Sequence, residues 1–137
     1  MSHTHVNPEG LLPPVGFSHA VVAAPGRTVH TGGQTGHHAD GSLDEGIIAQ
    51  FGQALRNLVR VLEAAGARVE DVVSMQLYVT DVAAYRAAPK ELGATYREAL
   101  GRHFPAMALF GVSELYDPDA LVEIVATAVI ADPGADA

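Results

Sequence analysis

Leu121-Val122-Glu123-Ile124-Val125-Ala126-Thr127-Ala128-Val129-Ile130 is an apolar run broken by a single carboxylate. It reads as a β-strand. Side chains alternate between faces along a strand, so Val122, Ile124, Ala126, Ala128 and Ile130 share one side. Leu121, Glu123, Val125, Thr127 and Val129 share the other. Glu123 therefore projects among apolar neighbours, where a carboxylate must find partners, keep its proton, or serve as an acid or base. A second strand precedes it, in Arg102-His103-Phe104-Pro105-Ala106-Met107-Ala108-Leu109-Phe110-Gly111-Val112, and residues 113–120 form the turn between them.

Working outward, Leu43, Ile47, Phe51, Leu55, Leu58 or Val59, and Leu62 keep helical spacing. Ser42-Leu43-Asp44-Glu45 fits a capping box, and Gly66 suits the far end of that helix. Val73, Met75, Leu77 and Val79 alternate with Ser74, Gln76, Tyr78 and Thr80, as on a strand with one buried face. Asp81 can cap a second helix carrying Leu92, Tyr96 and Leu100, with a kink or delayed first turn expected at Pro89. Nearer the start, Phe17–Ala24 and Arg27–Thr31 read as a hairpin turning at Pro25-Gly26. Residues 1–16 read as an irregular lead-in and 131–137 as a fraying tail. The order β-β-α-β-α-β-β predicts one α+β domain spanning 1–137, with two helices on one face of the sheet. Apolar residues on both faces, such as Val125, Val129, Leu109 and Leu121, require a cover for the second face. Another copy of the chain is the natural one.

The 137 residues are 48% hydrophobic and 18% charged, which predicts a packed core. The absence of cysteine excludes disulfides and thiolate chemistry. No run approaches the length of a bilayer span and the N-terminus has no signal-like apolar core, so a cytoplasmic protein without a membrane partner is expected. A net charge of −8 with Lys90 as the only lysine argues against a nucleic-acid partner.

Several stretches together resemble the Rid family, the reactive intermediate deaminases also called YjgF-like or L-PSP. They are Asn7-Pro8, Gly16-Phe17-Ser18-His19-Ala20, Gly32-Gly33-Gln34-Thr35-Gly36, Gln53-Ala54-Leu55-Arg56-Asn57-Leu58, Leu62-Glu63-Ala64-Ala65-Gly66-Ala67, Asp71-Val72-Val73, Tyr78-Val79-Thr80-Asp81, Phe104-Pro105-Ala106 and Leu121-Val122-Glu123-Ile124. No one of them is specific; their order and spacing are. The resemblance implies a chorismate-mutase-like fold on one mixed sheet, and a homotrimer whose sheets form a barrel with small-molecule pockets between subunits. It implies hydrolysis of a reactive imine or enamine, such as 2-aminoacrylate, to a keto acid and ammonia, without metal or cofactor.

Carried onto this chain, the family's water-positioning glutamate is Glu123, and Gly33 and Gln34 match its glycine loop. Its tyrosine is Phe17, which keeps the ring and loses the hydroxyl. A helix position often held by Asn falls at Lys90. The carboxylate-binding arginine is Met107, which marks a divergent subgroup. A thioether cannot replace a guanidinium fork, and the loss costs roughly 1.5–3 kcal/mol of binding. A substrate other than 2-aminoacrylate is therefore expected, unless Arg102 or Lys90 supplies the charge. A non-catalytic trimer that binds a small metabolite is the alternative.

The histidines divide. His3 and His5 fall in the lead-in and are expected to be mobile. His37-His38 with Asp40 reads as a solvated loop, since no second ligand cluster lies at metal-site spacing. His19 and His30 sit on the predicted hairpin, where packing and a pocket role both stay open. His103, beside Phe104-Pro105, is the candidate for a place near the substrate. Ser18, Ser74 and Ser113 lie in no nucleophile-elbow context.

Overall fold

The long apolar run becomes the middle strand of the sheet, β7, Val122–Ala131. The computed structural model describes residues 2–133, so residues 134–137 of the expected tail lie outside the described residues. The other strands are β1 (Thr4–Val6), β2 (Ala20–Val22), β3 (Gly26–His30), β4 (Gln34–Thr35), β5 (Val72–Val79) and β6 (Ala106–Gly111). The helices are α1 (Ile47–Ala64), α2 (Val82–Arg86) and α3 (Pro89–Leu100). The main sheet runs β3-β7-β5-β6, with β4 also paired to β7. Pairing is antiparallel except between β5 and β6, which makes the sheet mixed.

One face of this sheet carries the core. Val122, Ile124, Ala126 and Ala128 of β7 and Met75, Leu77 and Val79 of β5 pack under Phe51, Leu55, Leu58 and Leu62 of α1 and Leu92, Tyr96 and Leu100 of α3. Leu109 joins that side. The far face presents Val125, Gln76 and Tyr78, all half-exposed, and Phe110, which is 46% exposed. The alternation read from residues 121–130 holds because a strand's period of two is a local property.

Four expectations are corrected. The Phe17–Thr31 region forms no hairpin: β2 pairs with β1, and β3 pairs with the end of β7. A side chain at Gly26 would sit 2.1 Å from the Ile130 carbonyl oxygen, so this glycine admits β3 against β7 rather than turning it back on β2. The lead-in is not wholly irregular, since Thr4–Val6 is β1. The capping box does not form. The Ser42 hydroxyl donates to Asp40 Oδ1, and α1 begins only after Gly46. Finally, the second helix is two helices. Pro89, at the start of α3, has no N–H to continue α2 and restricts Ala88 before it. A smaller departure lies in β5, where a bulge between Val72 and Ser74 turns Val72 inward in place of Val73.

The Asp81 cap does form, with Oδ1 accepting the Ala84 amide at 3.0 Å. Asp81→Ala is expected to lower stability by about 1 kcal/mol. A denaturant midpoint unchanged in that variant would show that the cap carries no load.

Candidate functional site

Glu123 and Gly33 meet on the far face. Thr35 of β4 and Tyr78 of β5 are the register partners of Glu123, and Phe110 of β6 is the partner of Tyr78. Directly opposed residues share a face, so Thr35, Glu123, Tyr78 and Phe110 form one row across the sheet. The Glu123 carboxylate leans over Gly33. A β-carbon on Gly33 would lie 2.0 Å from Glu123 Oε1 and 2.7 Å from its carboxyl carbon. The missing side chain is therefore what gives the carboxylate its seat. Among the described residues, Glu123 takes part in none of the ion pairs. Gln34, in contrast, pairs with Ile124 and so belongs to the helix side.

Behind this row stands a set that sequence reasoning did not assemble. The His37 ring contacts Asp117 Oδ2 through Nε2 at 2.8 Å and Thr35 Oγ1 through Nδ1 at 2.5 Å. Asp117 also accepts the Asp119 amide. That amide first, and His37 second, hold its carboxyl below the usual carboxylate range. Asn57 of α1 donates to the carbonyls of both Thr35 and His37. The sequence carried no signal for this set, because His37 and Asp117 lie 80 residues apart.

Met107 lies elsewhere. Its register partner is Met75, so it faces the helices, on the side of the sheet opposite Glu123. There it lines a hollow of about 770 Å³ between β6 and the two short helices, with Tyr85, Tyr96, Phe104, Arg86 and Arg97 among the walls. The hollow is mostly apolar, and burial pushes the Tyr85 and Tyr96 phenols up from their usual range. Lys90 and Arg102 are exposed and are not among its walls; the cations that are present are Arg86 and Arg97. Phe17 is half-buried beside the hollow's Val15 and Gly16, edge-on to the His19 ring at 5.2 Å.

His103 acts on the frame. Its Nε2 donates to the Val72 carbonyl at 2.7 Å, and its own carbonyl accepts the Tyr96 hydroxyl at 2.6 Å. His3 and His5, expected to be mobile, are tied in. His3 Nδ1 accepts the Ala24 amide while its Nε2 donates to the Val129 carbonyl. His5 Nδ1 donates to the Ser18 hydroxyl, which donates onward to the Phe104 carbonyl. His19 donates to the Leu12 carbonyl. Among the described residues, no cluster of three or more His, Asp or Glu side chains is arranged to hold a metal ion.

Comparison with known proteins agrees with this architecture. The family model described as Endoribonuclease L-PSP matches residues 9–130. The chain is 34% identical over 92 residues to the 2-iminobutanoate/2-iminopropanoate deaminase of Salmonella typhimurium, covering 65% of this chain and 68% of that protein. It is 34% identical over 110 residues to the RutC family protein UK114 of Drosophila melanogaster, covering 79% and 75%. Among solved structures, it matches YyfB of Yersinia pestis, a Rid-family protein of unknown function, with a TM-score of 0.81 and 40% identity over 95% of this chain and 100% of that one. It matches RidA of an Antarctic Psychrobacter with a TM-score of 0.68 and 30% identity over 83% and 88%.

Proposed function

Because this chain belongs to the Rid (L-PSP) family, we propose that it hydrolyses a small imine or enamine to a carbonyl compound and ammonia, with Glu123 holding and activating the water. The observation that carries the reading is the Glu123 carboxylate seated over Gly33, in space that any other residue would fill. A carboxylate held there can take a proton from water as oxygen attacks the C=N carbon, then return it to the departing nitrogen. The name of the Salmonella relative, a deaminase of 2-imino acids, supports the reaction class.

Met107 and Glu123 lie on opposite faces of the sheet, so a small ligand on one chain cannot touch both. The proposed site is completed between copies, one chain bringing Glu123 and Gly33 and a neighbour bringing the hollow around Met107. A homotrimer would also cover the far face, where Phe110 and Val125 stand partly open. With Met at 107, the proposed substrate directs an apolar or uncharged group at that side chain rather than a carboxylate. The negative charge of the chain disfavours an RNA substrate. A non-catalytic metabolite-binding trimer is the second reading, favoured by Phe17 and Met107 where the family pattern has a hydroxyl and a guanidinium.

The experiment is ammonia release from freshly generated imines, 2-aminoacrylate included, by the wild type and by Glu123→Ala. Wild-type acceleration that the variant lacks is the expected result, largest on imines without a carboxylate. No acceleration of any imine, together with saturable ligand binding, would favour the second reading.

A further inference from the structure

The set formed by Thr35, His37 and Asp117 is polarised in one direction. An ionised carboxylate only accepts, so His37 Nε2 carries a hydrogen toward Asp117 Oδ2. In the neutral ring Nδ1 is then the acceptor, and the Thr35 hydroxyl donates to it. When the ring is protonated, Nδ1–H donates to Thr35 Oγ1 instead, and the hydroxyl hydrogen is released to point elsewhere. Hydroxyl, imidazole and carboxylate thus form a two-state proton conduit, the same order of groups that hydrolases use to move a proton at an alcohol oxygen.

The conduit is firmly mounted and ends at the proposed site. The Asn57 amide holds the carbonyls on either side of Gly36. Asp117 is fixed by the Asp119 amide. Thr35 sits directly opposite Glu123, on the same face as Gly33 two residues before it. Opposed residues in an antiparallel pair have β-carbons about 5 Å apart on one face, so both side chains can reach a single small ligand lying over that face.

We infer that Thr35 delivers the second proton of the proposed hydrolysis, with His37 and Asp117 acting through it as positioning residues. The inference rests on the imine-hydrolase reading. As water adds to the C=N carbon, Glu123 takes one proton from the water. The protonated His37 ring passes another through Thr35 to the nitrogen, and a carbinolamine forms. On collapse, Glu123 returns its proton to the nitrogen and the C–N bond breaks, its electron pair leaving on ammonia. The carbinolamine hydroxyl gives its proton through Thr35 back to His37. One water is consumed and both groups end as they began.

The groups facing His37 bear on any pH dependence. Asp117 touches it, and Glu123 stands across the β4–β7 pair. From α1 the neighbour is the uncharged Asn57. On its own loop, His38 is occupied with Asp44. Asp44, Glu45 and Asp119 line the adjoining surface hollow with Asp117.

The test measures kcat for ammonia release against pH, using whichever generated imine the wild type turns over, with Thr35→Val, Thr35→Ser and His37→Asn. Thr35→Val is expected to lose about 10²-fold and Thr35→Ser to recover most of that loss. The ratio of wild-type to His37→Asn rates is expected to change with pH, since only the wild type has an imidazole in the relay. A ratio constant with pH, or Thr35→Val matching the wild type while Glu123→Ala is dead, would overturn the relay and leave the hydrolase reading intact. A wild type inactive on every imine would overturn both.

Discussion

Gly33→Val is expected to lower turnover about 10³-fold, as far as Glu123→Ala does, while the chain stays folded. The two halves of that result have one cause. A β-carbon at residue 33 would meet Glu123 Oε1 at 2.0 Å, and its three nearest atoms all belong to the Glu123 side chain, so the tightest clash falls on the free end of a flexible side chain. The carboxylate swings aside at little cost to stability. The proposed site is not expected to recover, because a general base must stand within hydrogen-bond reach of the water it activates. Kinetics and thermal unfolding of both variants check this. A Gly33→Val protein that turns over like the wild type would show that the seat of the carboxylate is not where water is activated. A Gly33→Val protein that unfolds would show that the glycine serves the backbone instead.

Phe51→Ala is expected to have the opposite profile, a large loss of stability. Phe51 is 1% exposed, lies in the core beneath the sheet, and meets the Tyr85 ring edge-on at 5.9 Å. Removing a buried phenyl ring costs about 3–5 kcal/mol, from lost transfer energy and the cavity left behind. In a chain of this size that lowers the melting temperature by roughly 10–15 °C. Tyr85 also walls the hollow around Met107, so surviving protein is expected to bind ligand there more loosely. Chemical denaturation gives the number; a loss below about 1 kcal/mol would mean that α1 packs differently.

What the amino-acid sequence disclosed follows a physical line. The faces of residues 121–130, the run of α1 and the Asp81 cap depend on neighbours a few residues away, and all were legible. The pairing of β3 was not. Pro25-Gly26 is a good local turn signal, but Gly26 serves a partner near the other end of the chain. The bulge at Val72 escaped because Val72 and Val73 are the same residue type, and pattern alone cannot choose between them. The placement of Met107 on the helix face needed the β5–β6 register, which no local rule supplies. Glu123 stood out because a carboxylate in an apolar strand is locally anomalous. His37 and Asp117 were missed because each is ordinary in its own loop, and only the fold makes them a pair.

The central place of β7 has a consequence for how the protein is made. β3, β4 and β5 all pair with this strand, and the Ala126 amide reaches the Thr31 hydroxyl across 95 residues of chain. A ribosome emits this strand after all of its partners. Until it does, the nascent polypeptide carries open strand edges and helices over a floor that lacks its middle strand, the condition in which chains aggregate or recruit chaperones. Nor can loop closure over so long a span begin early. A premature stop before residue 122 therefore removes the keystone rather than trimming an end, and the surviving fragment has every partner strand and nothing to join them.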